Sequence, residues 1–143
     1  MEIAVSGVID RPVGEVFRFF ADEHVRNHPR WDPYIRLEAD GPLEVGSIVR
    51  RTNTRSGTAV QGTMEVVEYE RDSSFGVVTR EGSLEIHGRA TFEAQDQHRT
   101  LLTLSVEMPD MDDASRATVT ASMQGSVDRI RELLRPATPQ HDG

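Results

Sequence analysis

The 143-residue sequence contains no cysteine, which excludes disulfide bonds and thiol chemistry. It also contains no lysine, because all sixteen basic residues are arginine. The net charge of −8 would repel phosphates, so we expect no nucleic-acid partner. No apolar run approaches the roughly 20 residues of a membrane-spanning helix. The N-terminal MEIAVSGVID has an acid where a secretory signal has a basic patch, and we therefore expect a cytoplasmic protein.

The chain is long enough for one domain with its own core, which we place at residues 1–135. Residues 2–9, EIAVSGVI, alternate between apolar and polar and predict a strand. Pro12 suits the first position of a helix, and apolar residues follow it at helical spacing. This helix is expected to end near residues 21–22. A second short helix should be stopped by Pro29, because proline disfavours helical geometry in the residue before it.

Residues 34–108 switch to a period of two and predict six further strands joined by hairpins. Their predicted spans are 34–39, 46–53, 57–70, 74–81, 83–94 and 99–108. Three of these strands have one clearly apolar face, formed by Val60, Gly62, Met64 and Val66; by Leu84, Ile86, Gly88, Ala90 and Phe92; and by Leu102, Leu104, Val106 and Met108. Such a sheet needs a cover on its apolar face.

The only long cover is a helix predicted from Asp110, as its N-terminal cap, to about Leu134. Small residues dominate the first half of this helix and larger aliphatic residues dominate the second half. A sheet that curves around such a helix encloses space which small side chains do not fill. The pattern therefore predicts an internal cavity, and residues 136–143 are expected to form a disordered tail.

Several segments resemble those of a known superfamily. They are IDRPVGEVFRFF (9–20), RWDP (30–33), GTMEVVEYERDSSFGV (62–77) and ATFEAQDQHRTLLTL (90–104). The chain resembles the START and polyketide cyclase/dehydrase superfamily, which includes birch-pollen-allergen-like proteins (SRPBCC). The resemblance implies an α+β helix-grip fold, in which a seven-stranded curved antiparallel sheet surrounds a long C-terminal helix and two short helices follow the first strand. It also implies that the segment around Trp31 forms one end of a cavity.

The predicted faces and the resemblance together assign a set of ligand-binding residues. They are Trp31, Tyr34, Val60, Met64, Phe75, Ile86, Ala90, Phe92, Leu104, Met108, Met123 and Val127. For Trp31, simple packing in the core is an equally good interpretation.

Three polar residues are candidates for catalysis: Tyr34, Arg50 and Tyr69. Inside an apolar pocket, an arginine and a tyrosine can polarise a carbonyl or orient a phenol. For Arg50 we favour the alternative, in which its side chain faces water like that of Arg51 beside it.

His24 and His28 are four residues apart, which is a spacing that metal ligands use on a helix. No distant third ligand is indicated, so we expect a surface histidine pair, no metal and no other cofactor.

Three functions remain open. The first is binding of a hydrophobic or amphipathic small molecule, lipid- or polyketide-like, by a monomer or homodimer. The second is a polyketide cyclase/dehydratase-type enzyme that uses acid–base residues in the same cavity. The third, which has the least support, is a protein-interaction module, because the sequence predicts no contiguous exposed apolar patch.

Overall fold

The structure is a computed structural model, and it describes residues 1–136. The first strand, β1 (Glu2–Ile9), is followed by α1 (Val13–Phe17), a π-helical turn (Arg18–Asp22) and α2 (His24–Trp31). Six strands come next: β2 (Ile35–Glu38), β3 (Ile48–Asn53), β4 (Val60–Glu70), β5 (Ser74–Glu81), β6 (Leu84–Asp96) and β7 (Arg99–Glu107). The last element is the long helix α3 (Asp113–Leu133). Apart from Pro136, the predicted tail lies outside the described residues.

The seven strands form one antiparallel sheet in the order β1-β7-β6-β5-β4-β3-β2. Consecutive strands from β2 to β7 are neighbours, as a series of hairpins requires. The helical segment between β1 and β2 carries the chain from one edge of the sheet to the other. This arrangement confirms the predicted α+β helix-grip fold.

The predicted apolar face is the concave face of the sheet. Met64 lies opposite Thr79, and Ala90 lies opposite both Phe75 and Leu104, so these side chains share one side. Met64, Phe75 and Ala90 are all at most 2% exposed. Alternation along the strands therefore identified the inner face correctly.

An aromatic cluster fills the part of the concave face nearest α1 and the π-helical turn. The Phe20 and Trp31 rings stack with centroids 5.0 Å apart, and Phe17 packs edge-on against Phe92 at 5.1 Å. Ile130 of α3 is fully buried in the same cluster. The second half of α3 therefore seals this part of the sheet.

The start of α3 differs from the prediction in its cap. The side chain of Asp112, not of Asp110, accepts a hydrogen bond from the backbone N–H of Ser115 at 2.7 Å. Asp112 has the extended backbone that an N-terminal cap requires, and it lies directly before the first helical residue. The prediction that Asp110 is the cap was wrong by two residues.

The prediction that Pro29 stops the second helix is also wrong, because Pro29 lies inside α2. The backbone N–H of Asp32 bonds to the carbonyl oxygen of His28 at 3.0 Å, which continues the helix past the proline. Proline removes a bond to the carbonyl four residues earlier and destabilises the helix. Burial of Trp31, which is 3% exposed, offsets this cost.

The long helix packs mainly against β1 and makes few contacts with the other strands. Its early residues Ala114, Ala117 and Ala121 are exposed, whereas Val127 and Ile130 near its end are buried. The centre of the concave face is therefore not covered by direct packing. Among residues 1–136, no helix is long and apolar enough to cross a membrane.

Candidate functional site

A cavity of about 500 Å³ lies between the first half of α3 and the centre of the sheet. Its apolar wall comes from four strands, from α3 and from the helical segment before β2. These residues are Phe20, Trp31, Met64, Phe75, Val77, Ile86, Ala90, Leu104, Val106, Met108, Val119 and Met123.

Small side chains on the facing surfaces account for the empty volume. Thr118, Ser122 and Ser126 line the cavity from α3 at intervals of four residues, which places them on one side of the helix. On the opposite wall, Gly88 has no side chain, and a Cβ atom there would lie 3.5 Å from Cγ2 of Val77. Larger residues at these four positions would occupy the space between helix and sheet.

Eight of the twelve predicted ligand-binding residues line the cavity: Trp31, Met64, Phe75, Ile86, Ala90, Leu104, Met108 and Met123. The other four do not, for different reasons. Phe92 and Val127 are buried in the core, where neighbouring side chains surround them. Val60 is 37% exposed at the start of β4, and Tyr34 is 50% exposed in the connection to β2.

None of the three catalytic candidates lines the cavity. The Tyr34 ring packs outside under the Arg55 guanidinium, 5.1 Å from its centroid. Arg50 points to the convex side, where it pairs with Asp40 at 3.2 Å. The hydroxyl of Tyr69 donates to the carboxylate of Asp22, and burial raises the pKa of Tyr69 to about 12.

The arginine that lines the cavity is Arg51, next to Arg50 in the sequence. Its guanidinium pairs with the carboxylate of Glu81 on the concave face, and both side chains are only 13% exposed. The pair spans Gly62, which lies between β3 and β5 in the sheet. A Cβ atom on Gly62 would clash with the carbonyl oxygen of Arg80 and lie 2.8 Å from Cγ of Glu81. Burial lowers the pKa of Arg51 from its ordinary value, although the nearby carboxylates oppose this shift.

A second ion pair lies beside the first. The Arg55 guanidinium contacts the carboxylate of Asp32 at 2.7 Å, and both residues line the cavity. The cavity therefore has a polar end, where two arginines are each paired with an acid. This end faces the hairpins that join β3 to β4 and β5 to β6.

His24 and His28 complete the polar end, and their positions correct the prediction of a surface pair. His24 is 4% exposed and contacts the Phe75 ring, with centroids 5.0 Å apart. His28 is half-buried and stacks on Trp31 at 5.2 Å. Both imidazoles line the cavity, because they lie four residues apart on one side of α2.

The two imidazoles form a hydrogen-bonded chain. Nδ1 of His24 lies 2.8 Å from the carbonyl oxygen of Phe20, and Nδ1 of His28 lies 3.0 Å from Nε2 of His24. A carbonyl only accepts, so Nδ1 of His24 carries the proton and its Nε2 accepts from Nδ1–H of His28. Nε2 of His28 is then left as an unprotonated acceptor.

Both imidazoles are held neutral by their surroundings. Burial lowers the pKa of His24 to about 4, against the opposing effect of the hydrogen bond to Phe20. Burial also lowers the pKa of His28 well below its ordinary value, and the positive charges of Arg51 and Arg55 add to that shift. Within residues 1–136, no three His, Cys, Asp or Glu side chains are grouped closely enough to hold a metal ion.

The sequence analysis did not assign Arg51 or His28 to the cavity wall, where the structure places both. Arg51 shares its side of β3 with Val49, which lies opposite the buried Met64. The register of β3 against β4 thus places Arg51, and not Arg50, on the inner face. His28 lies three residues before Trp31, so a helix continuing through Pro29 places both on one side.

Comparison with known proteins gives the family. Residues 1–135 match the family described as polyketide cyclase / dehydrase and lipid transport. No curated protein matches the sequence significantly.

Solved structures share the fold at low identity. A START superfamily protein from Mycobacterium smegmatis superposes with a TM-score of 0.76 at 10% identity, covering 93% of this chain and 96% of its own. The Zhui aromatase/cyclase from Streptomyces sp. R1128 has a TM-score of 0.75 at 12% identity, with 94% and 93% covered. The protein Ara h 8.0201 has a TM-score of 0.72 at 12% identity, with 94% and 97% covered. The family match spans almost the whole chain, and the chain therefore belongs to the polyketide cyclase/dehydrase and lipid transport family.

Proposed function

We propose that this protein binds a hydrophobic or amphipathic small molecule, lipid- or polyketide-like, in the cavity under α3. The observation that carries the proposal is an apolar cavity of about 500 Å³ with polar side chains gathered at one end. This volume falls within the roughly 300–1,000 Å³ of small-molecule sites, which usually combine apolar walls with a few orienting polar groups. The family membership supports the same function.

The cavity favours one orientation of such a ligand. Its apolar body would lie against Met64, Ile86 and Leu104 on the sheet. Its polar group would face His28 and Arg51, because both of these polar side chains line that end of the cavity. An entirely apolar ligand would leave the polar end without compensation, and we therefore expect an amphipathic ligand to bind more tightly.

The proposal is tested by filling the cavity from the helix. Ser122→Trp places a large ring at the cavity wall, whereas Ala121→Trp adds the same ring at the next position, which does not line this cavity, and serves as the matched control. Binding of anilinonaphthalene sulfonate and of fluorescent fatty acids is measured by titration. Circular dichroism checks that both variants are folded.

We expect the wild-type protein and Ala121→Trp to bind these probes and Ser122→Trp to lose at least about tenfold in affinity, which equals about 1.4 kcal/mol. Two results would contradict the proposal. One is that neither the probes nor lipid extracts bind the wild-type protein. The other is that Ser122→Trp binds as well as Ala121→Trp.

A second candidate function is cyclisation or dehydration of a polyketide-like substrate. The observation that favours it is a neutral imidazole and an arginine in the wall of a largely apolar cavity. Proton transfer and stabilisation of an enolate oxygen are the steps such chemistry needs, and His28 and Arg51 are the groups placed to assist them.

Product analysis by mass spectrometry distinguishes the enzyme from the carrier. Incubation with a polyketide synthase and its acyl substrates is expected to give a cyclised product only when the protein is present. Arg51→Gln should abolish that product, and Arg50→Gln, which changes the neighbouring residue on the convex side, should retain it. The same products with and without the protein would leave binding as the sole function. A polyketide synthase gene beside this one would favour the enzyme.

A further inference from the structure

We propose that His28 makes the cavity selective for a ligand that carries an acidic hydroxyl, either a phenol or an enol, and that this hydroxyl donates a hydrogen bond to Nε2. The inference rests on the proposed function, because it assigns the chemical class of the ligand that the cavity accepts. It derives from the hydrogen-bonded chain that runs from the backbone through two imidazoles into the cavity.

The direction of this chain determines what His28 offers to a ligand. The Phe20 carbonyl oxygen accepts a hydrogen bond from Nδ1–H of His24 at 2.8 Å, and Nε2 of His24 accepts one from Nδ1–H of His28 at 3.0 Å. Reversing the chain would leave the Phe20 oxygen facing a lone pair. Nε2 of His28 therefore accepts hydrogen bonds and does not donate them.

This nitrogen is available for a ligand. No hydrogen bond to Nε2 of His28 is formed by any side chain or backbone group of residues 1–136. Among the same residues, no fully buried side-chain nitrogen or oxygen is without a partner. Nε2 is therefore not sealed inside the protein, and His28 is part of the cavity wall.

The ring is also held in place. It stacks on the Trp31 indole with centroids 5.2 Å apart and an angle of 16° between the planes, and it meets the His24 ring edge-on at 4.7 Å. An acceptor that is fixed in direction gains more from a correctly placed donor than a mobile one, because less side-chain freedom is lost on binding.

The other polar groups at this end make an acidic hydroxyl the best match. Arg51 and Arg55 are both engaged by carboxylates, those of Glu81 and Asp32, so His28 supplies the acceptor that is not already paired. The positive charges of Arg51 and Arg55 act on His28 at the same end of the cavity. These charges would stabilise a ligand hydroxyl whose oxygen becomes more negative as it donates its hydrogen bond to His28. Phenols and enols have this property to a greater degree than alkyl alcohols. An ether or a ketone, which only accepts, would place a lone pair against that of Nε2.

The test compares two probes of nearly equal size and apolar surface, 2-naphthol and 2-methoxynaphthalene. Their affinities are measured by isothermal titration calorimetry at neutral pH. We expect the wild-type protein to prefer 2-naphthol by about two- to tenfold, which is the effect of one neutral hydrogen bond. His28→Phe keeps a ring against Trp31 but removes the acceptor, and it should bind the two probes equally.

His24 acts as a positioning residue, and its variants separate that role from simple packing. His24→Phe removes the acceptor for Nδ1–H of His28, so the preference for 2-naphthol should fall. His24→Gln retains one donor and one acceptor on a planar group, and it should restore the preference. A merely structural role would change the affinities of both probes by the same factor.

A measurement on the wild-type protein does not depend on any variant folding. The ¹⁵N chemical shifts of the His28 imidazole show which nitrogen carries the proton, and we expect the proton on Nδ1 and a change at Nε2 when 2-naphthol binds. A proton on Nε2 in the free protein would overturn the inference. So would equal affinities for the two probes in the wild-type protein, or a preference that survives in His28→Phe. If neither probe binds the wild-type protein and the dyes also fail, the proposed function is overturned as well.

Discussion

Lowering the pH from 7 to 5 is expected to destabilise this protein through its buried imidazoles. Burial lowers the pKa of His24 from an ordinary value of 6.5 to about 4 in the folded protein. Below pH 6.5 the unfolded chain therefore takes up a proton that the folded protein excludes, and the free energy of unfolding falls until the pH approaches 4.

The size of the effect follows from the two pKa values. At pH 5 the unfolded imidazole is almost fully protonated and the folded one is mostly neutral, which corresponds to a loss of about 2 kcal/mol. His28 adds to the loss in the same direction, because its pKa is also lowered. The carboxylates whose pKa values are lowered, such as Asp22 and Glu68, lose their stabilising effect only at more acidic pH. The interval from pH 6.5 to 5 therefore reports mainly on the histidines.

Urea unfolding followed by circular dichroism at pH 7 and pH 5 measures this loss. His24→Gln keeps a donor and an acceptor but does not titrate, so the loss should shrink by about 2 kcal/mol relative to the wild-type protein. His98→Gln, which removes an exposed histidine, is the matched control and should leave the loss unchanged. The reasoning would be refuted by equal stability at the two pH values, or by an equal effect of the two substitutions.

Two further substitutions test the sheet. Gly62→Ala is expected to lower the free energy of unfolding by about 1–3 kcal/mol, because its Cβ would clash with the backbone of β5. The control is Gly88→Ala, whose Cβ would meet only Val77 at 3.5 Å. Its free energy of unfolding, measured by the same thermal or urea unfolding, should stay within about 0.5 kcal/mol of the wild-type value. Tyr69→Phe should cost about 1 kcal/mol by removing the hydrogen bond to Asp22, and calorimetric titration should show unchanged affinity for the cavity probes, since Tyr69 lies outside the cavity. Equal stability of the two glycine variants would contradict the first expectation, and loss of probe binding in Tyr69→Phe would contradict the second.

The strands and their inner faces were predictable because both depend on a short-range pattern. A strand alternates its side chains with a period of two, so a run such as Ile86, Gly88 and Ala90 reveals its face without knowledge of its neighbours. The first half of α3 was predictable in the same way, because its small side chains can be read from the sequence without knowledge of the fold. Together these two patterns predict a cavity between the first half of α3 and the sheet.

The residues at the polar end of the cavity could not be predicted from such short-range patterns. Arg50 and Arg51 are adjacent, and only the pairing of β3 with β4 decides which of them faces inward. The position of His28 was difficult to predict because Pro29 follows it, and the local preference of proline predicts that the helix ends there. In the structure the burial of Trp31 overrides this preference, and the helix continues. Tyr34 was a reasonable candidate by residue type, yet the chain leaves the cavity before reaching it.

The sequence by itself determined the order of the elements, the apolar face of the sheet and the small residues in the first half of α3, because each is encoded within a few neighbouring positions. Only the tertiary structure decided that His28 from α2, Arg51 from β3 and Asp32 beyond α2 meet at one end of the cavity. Their meeting depends on strand register and on how α2 packs against β2 and α3, which are contacts between residues far apart in the chain.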